Sequence, residues 1–240
     1  MASSDDAGTP IGRRIMLGML GAGAVGIVFG DRIQSGVERV MRPITQHDPT
    51  GLTEFVPTAG RFRIYSVTAS MPRRTAANYR LKVGGMVDHP FELTLAELQA
   101  MPATNLTRDF QCVTGWRVQD VHWTGVTLAD LLDRAGVQDG ATALRLFSFD
   151  GNYTESLTMD EARRPDVIAA YRMLGGPVSR DHGGPVRLYV APMYGYKSLK
   201  WLDRIEVTDK VVPGYWENLG YDVEGWVGRS NGRDDAPTST

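Results

Sequence analysis

The sequence predicts an α+β fold of many short strands and a few short helices. Three observations lead there. Strand-like runs outnumber helical ones between residues 61 and 227. Every helical run is short. The two kinds do not alternate as a regular βαβ array would require. Of the 240 residues, 42% are hydrophobic and 22% charged, an ordinary globular balance that permits a sizeable core.

Taken in order, Tyr79-Arg80-Leu81-Lys82-Val83 alternates with the period of a strand. Thr94 to Met101 reads as a short helix, and Asn105 to Cys112 as a strand. Thr127 stands before Leu128-Ala129-Asp130-Leu131-Leu132 as an N-cap hydroxyl, and Gly136 supplies the stop. Ala143 to Phe149 alternates again, and Thr158-Met159-Asp160-Glu161 has the form of a capping box. Val167 to Met173, Val186 to Val190 and Ile205 to Thr208 are further strands. No internal repeat occurs.

The ends differ from this middle. Arg13 and Arg14 stand directly before an uncharged run from Ile15 to Phe29, which is broken by glycines and ended by Asp31 and Arg32. A spanning helix needs about 20 apolar residues, and runs of about 10–14 are more often signal-peptide cores. Paired arginines before such a run have the form of a twin-arginine signal, so residues 1–30 are expected to be that signal or a retained membrane anchor. Export to the outer face of the cytoplasmic membrane or the periplasm follows as an expectation. Residues 31–60 read as a linker, with a short helix from Asp31 to Met41 stopped by Pro43. The tail, residues 228–240, is rich in Ser, Asn, Gly, Asp, Pro and Thr and is expected to be disordered.

The formal net charge is -2 and no long basic run occurs, which argues against a nucleic-acid partner. Cys112 is the one cysteine, so no intramolecular disulfide can form. It lies in Phe110-Gln111-Cys112-Val113-Thr114-Gly115-Trp116. One thiolate cannot by itself make a zinc or iron–sulfur site, which usually takes three or four protein ligands. The histidines His47, His89, His122 and His182 show no paired ligand spacing. Two readings of Cys112 therefore fit the residues. It is a small buried hydrophobe, or it is a soft donor to a metal whose other ligands come from a cofactor.

A chain-long resemblance favours the second reading. Cys112-Val113-Thr114-Gly115-Trp116, followed by Trp123-Thr124-Gly125-Val126 and Leu128 to Leu132, resembles the metal-ligand segment of the sulfite-oxidase superfamily. Leu81-Lys82-Val83-Gly84-Gly85-Met86-Val87 and Pro90 resemble its first strand and turn. Gly184-Pro185-Val186-Arg187-Leu188 and Tyr194-Gly195-Tyr196-Lys197-Ser198-Leu199-Lys200 resemble its pterin-phosphate segment. Gly214-Tyr215-Trp216-Glu217 and Gly220-Tyr221 resemble the closing motif of its bacterial branch, which includes the catalytic subunit of the periplasmic methionine-sulfoxide reductase. The match runs in order from about Tyr65 to about Trp226.

The resemblance implies a molybdopterin-binding oxidoreductase domain of sulfite-oxidase type over residues 61–227, with several mixed sheets and short helices. It implies molybdenum held by one pyranopterin (molybdopterin) and by Cys112. Arg187, Ser198, Leu199 and Lys200 are implied as contacts of the cofactor's phosphate, the serine through its hydroxyl and the last three also through backbone N–H groups. His182, where the reductase branch has an asparagine, and Tyr65 are implied as further pterin contacts. Arg117 is the candidate second catalytic residue, for an anionic substrate. The implied reaction is two-electron oxygen-atom transfer on a small oxo-substrate, such as a sulfoxide or sulfite. Thr114 stands where the reductase branch has a glutamate, and no adjacent arginine pair follows Cys112, so the two substrates stay open. The haem motif Cys-x-x-Cys-His is absent, so electrons are expected to pass to a separate redox protein, such as a membrane haem protein. A monomer is expected. A membrane-tethered, non-catalytic binding module of the same fold is the alternative.

Overall fold

The computed structural model describes residues 62–68 and 71–237. The expected export signal and linker lie outside the described residues. Among the described residues no helix is long and apolar enough to cross a membrane.

Two five-stranded sheets form the frame. The first has the order β2-β1-β10-β5-β6, with β1 (Arg80–Gly85), β2 (Phe91–Thr94), β5 (Ala143–Ser148), β6 (Thr154–Thr158) and β10 (Leu202–Thr208). It is mixed: β1 and β10 run parallel, with Lys82 beside Arg204, and every other pair is antiparallel. The second sheet is antiparallel, in the order β3-β4-β7-β8, with β9 also on β7. Its members are β3 (Thr104–Gln111), β4 (Arg117–Thr127), β7 (Val167–Met173), β8 (Gly176–Pro177) and β9 (Arg187–Val190).

The helices are short, as expected: α1 (Leu95–Ala100), α2 (Leu128–Ala135) and α3 (Met159–Ala162). Each starts on a threonine hydroxyl that accepts from a backbone N–H, at Thr94, Thr127 and Thr158. Thr158 and Glu161 form the expected capping box, and Thr94 and Glu97 form another. Gly136 ends α2 in the left-handed region at φ 66°.

The strand β7 shows why the two cores are separate. Val167, Ala169 and Tyr171 face one cluster, with Leu81, Leu146, Leu131 and Leu188. Ile168 and Ala170 face another, with Phe110, Val121, Trp123 and Tyr189. A strand buried on both faces reads as a continuous apolar run. Trp123 stacks on Tyr189 at 4.0 Å, and the Tyr189 hydroxyl donates to the Asp109 carbonyl at 2.7 Å. This fixes β3, which ends one residue before Cys112, against β9, which starts at Arg187.

Over its described part the tail makes side-chain contacts. Asp235 accepts from the Tyr194 hydroxyl at 2.8 Å and pairs with Arg233 at 2.6 Å. The carbonyl of Ala236 accepts from Arg117. Tyr194 and Arg117 are far from the tail in sequence, so local composition does not reveal their contacts with it.

Candidate active site

Cys112 sits in a tight loop between β3 and β4. Its N–H donates to the Trp116 carbonyl at 2.9 Å, and its carbonyl accepts from Gly115 N–H at 3.0 Å. Gly115 has φ 99°, which a side chain rarely adopts, so glycine permits this turn. The Gln111 carbonyl accepts from Gly195 N–H at 2.7 Å, which brings the Tyr194 to Lys200 segment beside the cysteine. Cys112 is half-buried, and its Sγ lies 3.2 Å from Thr114 Oγ1.

A cavity of about 540 Å³ opens from Cys112. Arg187, His182, Ser198, Lys200 and Tyr65 line it as well. Aromatic rings form much of the remaining wall. Phe110 and Trp116 stack near the cysteine, and Trp216 meets Tyr221 at 5.3 Å farther along.

The basic side of the cavity is built from β9 and the two loops around it. Arg187 is buried and donates to the carbonyls of His182 at 2.9 Å, Ser198 at 2.8 Å and Leu188 at 3.3 Å. A guanidinium has five N–H donors, so two remain. Lys200 Nζ donates to the carbonyls of Tyr65 at 2.6 Å and Asp181 at 3.0 Å. Ser198 Oγ accepts from Val190 N–H at 3.0 Å, which leaves its own proton to donate.

Electrostatics mark this corner. Burial first, and the Arg187 charge second, lower His182 to about 4 and Lys200 to about 8. Burial likewise lowers Arg187 to about 10. Arg187 and Lys200, two cations in one cavity with a neutral His182 beside them, suit an anion, whose charge would offset their desolvation and mutual repulsion. A phosphate is such an anion. Among the described residues no group of three or more His, Cys, Asp or Glu could hold a metal ion. A metal at Cys112 would find no such cluster among the described residues. The donor set therefore fits a metal–pterin group with its metal at Cys112 and its phosphate at the basic corner.

Arg117 and the Leu199 side chain stand apart from the cavity, and the Leu199 backbone N–H named from the sequence is a separate group. Arg117 does not line the cavity. Its Nε donates to Gln111 Oε1 at 2.6 Å, and Nη1 lies 3.5 Å from Asp109. Gln111 Nε2 in turn donates to the Cys112 carbonyl at 3.1 Å, so Arg117 braces the cysteine loop through Gln111. The Leu199 side chain belongs to the core, and its carbonyl accepts from Leu188 N–H at 2.8 Å.

The sequence also held residues that local pattern could not reveal. Lys197 is buried in an ion cluster with Glu155 and Glu217, at 2.5 and 2.9 Å. Burial would lower Lys197, but the charges of Glu155 and Glu217 outweigh it and hold the amine above its ordinary value. Burial lifts the Glu155 carboxyl well above its usual range. Tyr153, on the cavity wall, donates to the Tyr196 carbonyl at 2.6 Å.

The family model of the oxidoreductase molybdopterin binding domain matches residues 68–216, more than half of the chain. The chain belongs to this family. Membership makes it a molybdopterin-dependent oxidoreductase with a molybdenum–pterin cofactor. It is 36% identical over 147 residues to the uncharacterized oxidoreductase YuiH of Bacillus subtilis, covering 61% of this chain and 74% of that one. It is 30% identical over 213 residues to the protein-methionine-sulfoxide reductase catalytic subunit MsrP of Ralstonia nicotianae, covering 80% and 64%. It is 29% identical over 178 residues to sulfite oxidase of Arabidopsis thaliana, covering 60% and 45%. The chain thus spans less than two thirds of the last two relatives. Among solved structures, the sulfane dehydrogenase SoxCD of Paracoccus pantotrophus matches with a TM-score of 0.55 at 26% identity, over 59% of this chain and 41% of that one.

Proposed function

We propose that this protein exchanges an oxygen atom and two electrons with a small oxo-substrate, such as a sulfoxide or sulfite. One observation carries the reading: Cys112 and the basic corner of Arg187, His182, Ser198 and Lys200 line one cavity. The bound molybdenum–pterin group supplies the redox and oxygen-transfer chemistry. The protein's own part is to hold, orient and shield it. Cys112 would be its one donor to the metal, as a thiolate. The free N–H groups of Arg187, the Lys200 ammonium and the Ser198 hydroxyl would hold the phosphate. His182 and Tyr65 would border the pterin. Phe62, against Phe110 at 5.2 Å and His182 at 4.8 Å, would limit water on that side. Arg117 would keep the Cys112 carbonyl in place through Gln111.

Electrons would pass to or from a separate protein, a membrane haem protein in this reading. Relatives named as methionine-sulfoxide reductase subunits support the sulfoxide branch of the proposal. Export through Arg13 and Arg14 belongs to the same reading and suits a protein loaded before it leaves the cytoplasm.

The test is a paired assay of protein purified from a cofactor-competent host. Molybdenum and pterin content is measured first. Reduced-dye oxidation with a sulfoxide is then compared with acceptor reduction by sulfite. Turnover with either substrate is the expected result. Fully loaded protein with neither activity would contradict oxygen-atom transfer on these substrates and favour the non-catalytic module.

A further inference from the structure

We propose that Lys197, held by Glu155 and Glu217, is a positioning residue that keeps the Tyr194 to Lys200 segment in its cofactor-binding shape before the cofactor arrives. The inference rests on the reading that this segment receives the cofactor's phosphate.

The geometry is that of a pin. The Lys197 side chain is 1% exposed, and those of Glu155 and Glu217 are 0% and 1% exposed. Its Nζ lies 2.5 Å from Glu155 Oε1, 2.8 Å from the Ser156 carbonyl, 2.9 Å from Glu217 Oε1 and 2.9 Å from the Val223 carbonyl. These acceptors come from β6, from the 3-10 helix Glu217–Leu219 and from the turn beyond it. One ammonium thus ties the phosphate segment to three other stretches of chain.

The next residue is held by a different element, β9. Ser198 Oγ accepts from Val190 N–H at 3.0 Å, and the Ser198 carbonyl accepts from Arg187 Nη2 at 2.8 Å. Within the segment, Lys197 N–H donates to the Tyr194 carbonyl at 2.9 Å and Ser198 N–H to the Gly195 carbonyl at 3.1 Å. The surroundings are shaped around the cluster. A Cβ on Gly225 would lie 2.5 Å from Lys197 Cγ, and one on Gly214 would lie 2.8 Å from Glu217 Oε2.

Stability alone is a poor reason for such a cluster. Apolar side chains of similar volume fill a buried site as well or better, because burying charges carries a large desolvation cost. What the ion cluster adds is direction: fixed contacts that hold several loops in one register. Outer partners of this kind set how well an inner shell binds its group.

The test uses the full chain in two forms, from a cofactor-deficient and a cofactor-competent host. Hydrogen exchange is followed at the amides of Tyr194, Gly195, Lys197 and Ser198, each of which donates to a backbone carbonyl. The expected result is slow exchange in both forms, because the pin already holds the segment. Rapid exchange without cofactor and slow exchange with it would overturn the proposal. Variants give the second arm. Lys197→Met leaves two buried carboxylates without their ammonium and can fail to fold. It is therefore paired with the triple variant Lys197→Met/Glu155→Gln/Glu217→Gln, which removes the buried charge altogether. The triple variant is expected to fold, to exchange faster at these amides, and to lose about ten- to a hundredfold in cofactor affinity. A folded triple variant with parental exchange and cofactor content would overturn the proposal and leave only charge pairing. If the triple variant does not fold, the exchange comparison in the parent decides alone. Failure of the underlying reading looks different: the parent itself, from the competent host, would hold no molybdenum–pterin.

Discussion

Arg187 Nη2 donates to the Ser198 carbonyl at 2.8 Å, which ties the start of β9 to the segment that ends in Lys200. This bond aims the guanidinium and the serine hydroxyl into one corner of the cavity. Losing a charge-assisted contact costs about 1.5–3 kcal/mol, or roughly ten- to a hundredfold in affinity. Arg187→Ala is expected to lower cofactor occupancy by that order. Lys82→Ala is the control, because Lys82 is 63% exposed on β1 and only 3.7 Å from one carboxylate, Glu92. Molybdenum and pterin content of both folded variants is the readout. Equal content would remove Arg187 from the phosphate site.

Lys200 gives a pH prediction. Burial and the Arg187 charge lower it from 10.5 to about 8. A bound phosphate would raise it again, so binding above about pH 8 takes up a proton. Cofactor retention on gel filtration is expected to hold below that pH and to fall as pH rises through it. Lys200→Arg should flatten the profile, since arginine does not titrate there. A parent profile that stays flat would count against a phosphate at Lys200.

His182 acts in the opposite part of the scale. Burial lowers it from 6.5 to about 4, so the fold favours the neutral ring. The unfolded chain binds the proton more tightly between those values. Stability is thus fully present above the ordinary histidine value and is lost as pH falls toward the lowered one, by ~3 kcal/mol at most. Urea unfolding of cofactor-free protein as a function of pH measures this. His182→Gln should remove most of the slope in that window.

Gly195 tests the wall beside the cysteine. A Cβ there would lie 2.5 Å from Phe110 Cζ and 2.6 Å from Cε1. Gly195→Ala is expected to destabilise the fold by about 1–3 kcal/mol, the usual cost of overpacking. Thermal unfolding checks it, and an unchanged midpoint would mean that the Phe110 ring moves freely.

Local signals carried much of this fold. Thr158 and Glu161, three apart, mark a helix start that the structure contains, and Thr127 and Gly136 bracket α2. The apolar run at Val167 is a strand because it is buried on both faces. The strand β4 was not legible. It contains Asp120 at φ 51° and Gly125, and register shifts interrupt its pairing with both neighbours. A Cβ on Gly125 would lie 2.4 Å from the Ala169 carbonyl, so that glycine serves a close approach between strands and breaks the local alternation. The site followed the same rule. Cys112 and Arg187 stand in recognisable segments, and the structure brings them to one cavity. Lys197 stands in such a segment as well, but its carboxylate partners are 42 and 20 residues away. Nothing in their own neighbourhoods marks them as a cluster. Arg117 follows the cysteine loop, which by itself suggests a substrate residue, and only the fold turns it toward Gln111 and Asp109.

Arg13 and Arg14 lie outside the described residues, and the proposal for them rests on sequence. Replacing both by lysine keeps the charge. The variant is expected to accumulate in the cytoplasm with its cofactor, while the parent reaches the outer face of the membrane. Fractionation with detection of the chain is the readout. Equal export of both would end the twin-arginine reading. An exported parent that stays with the membrane at high salt and keeps residues before Asp31 would support a retained anchor.

The central claim is that Cys112 ligates the molybdenum. The most direct measurement is the molybdenum(V) paramagnetic signal of Cys112→Ser beside that of the parent, both purified folded from a cofactor-competent host. A changed or lost signal, with little activity, is the expected result. A parental signal with parental activity in the serine variant would contradict it.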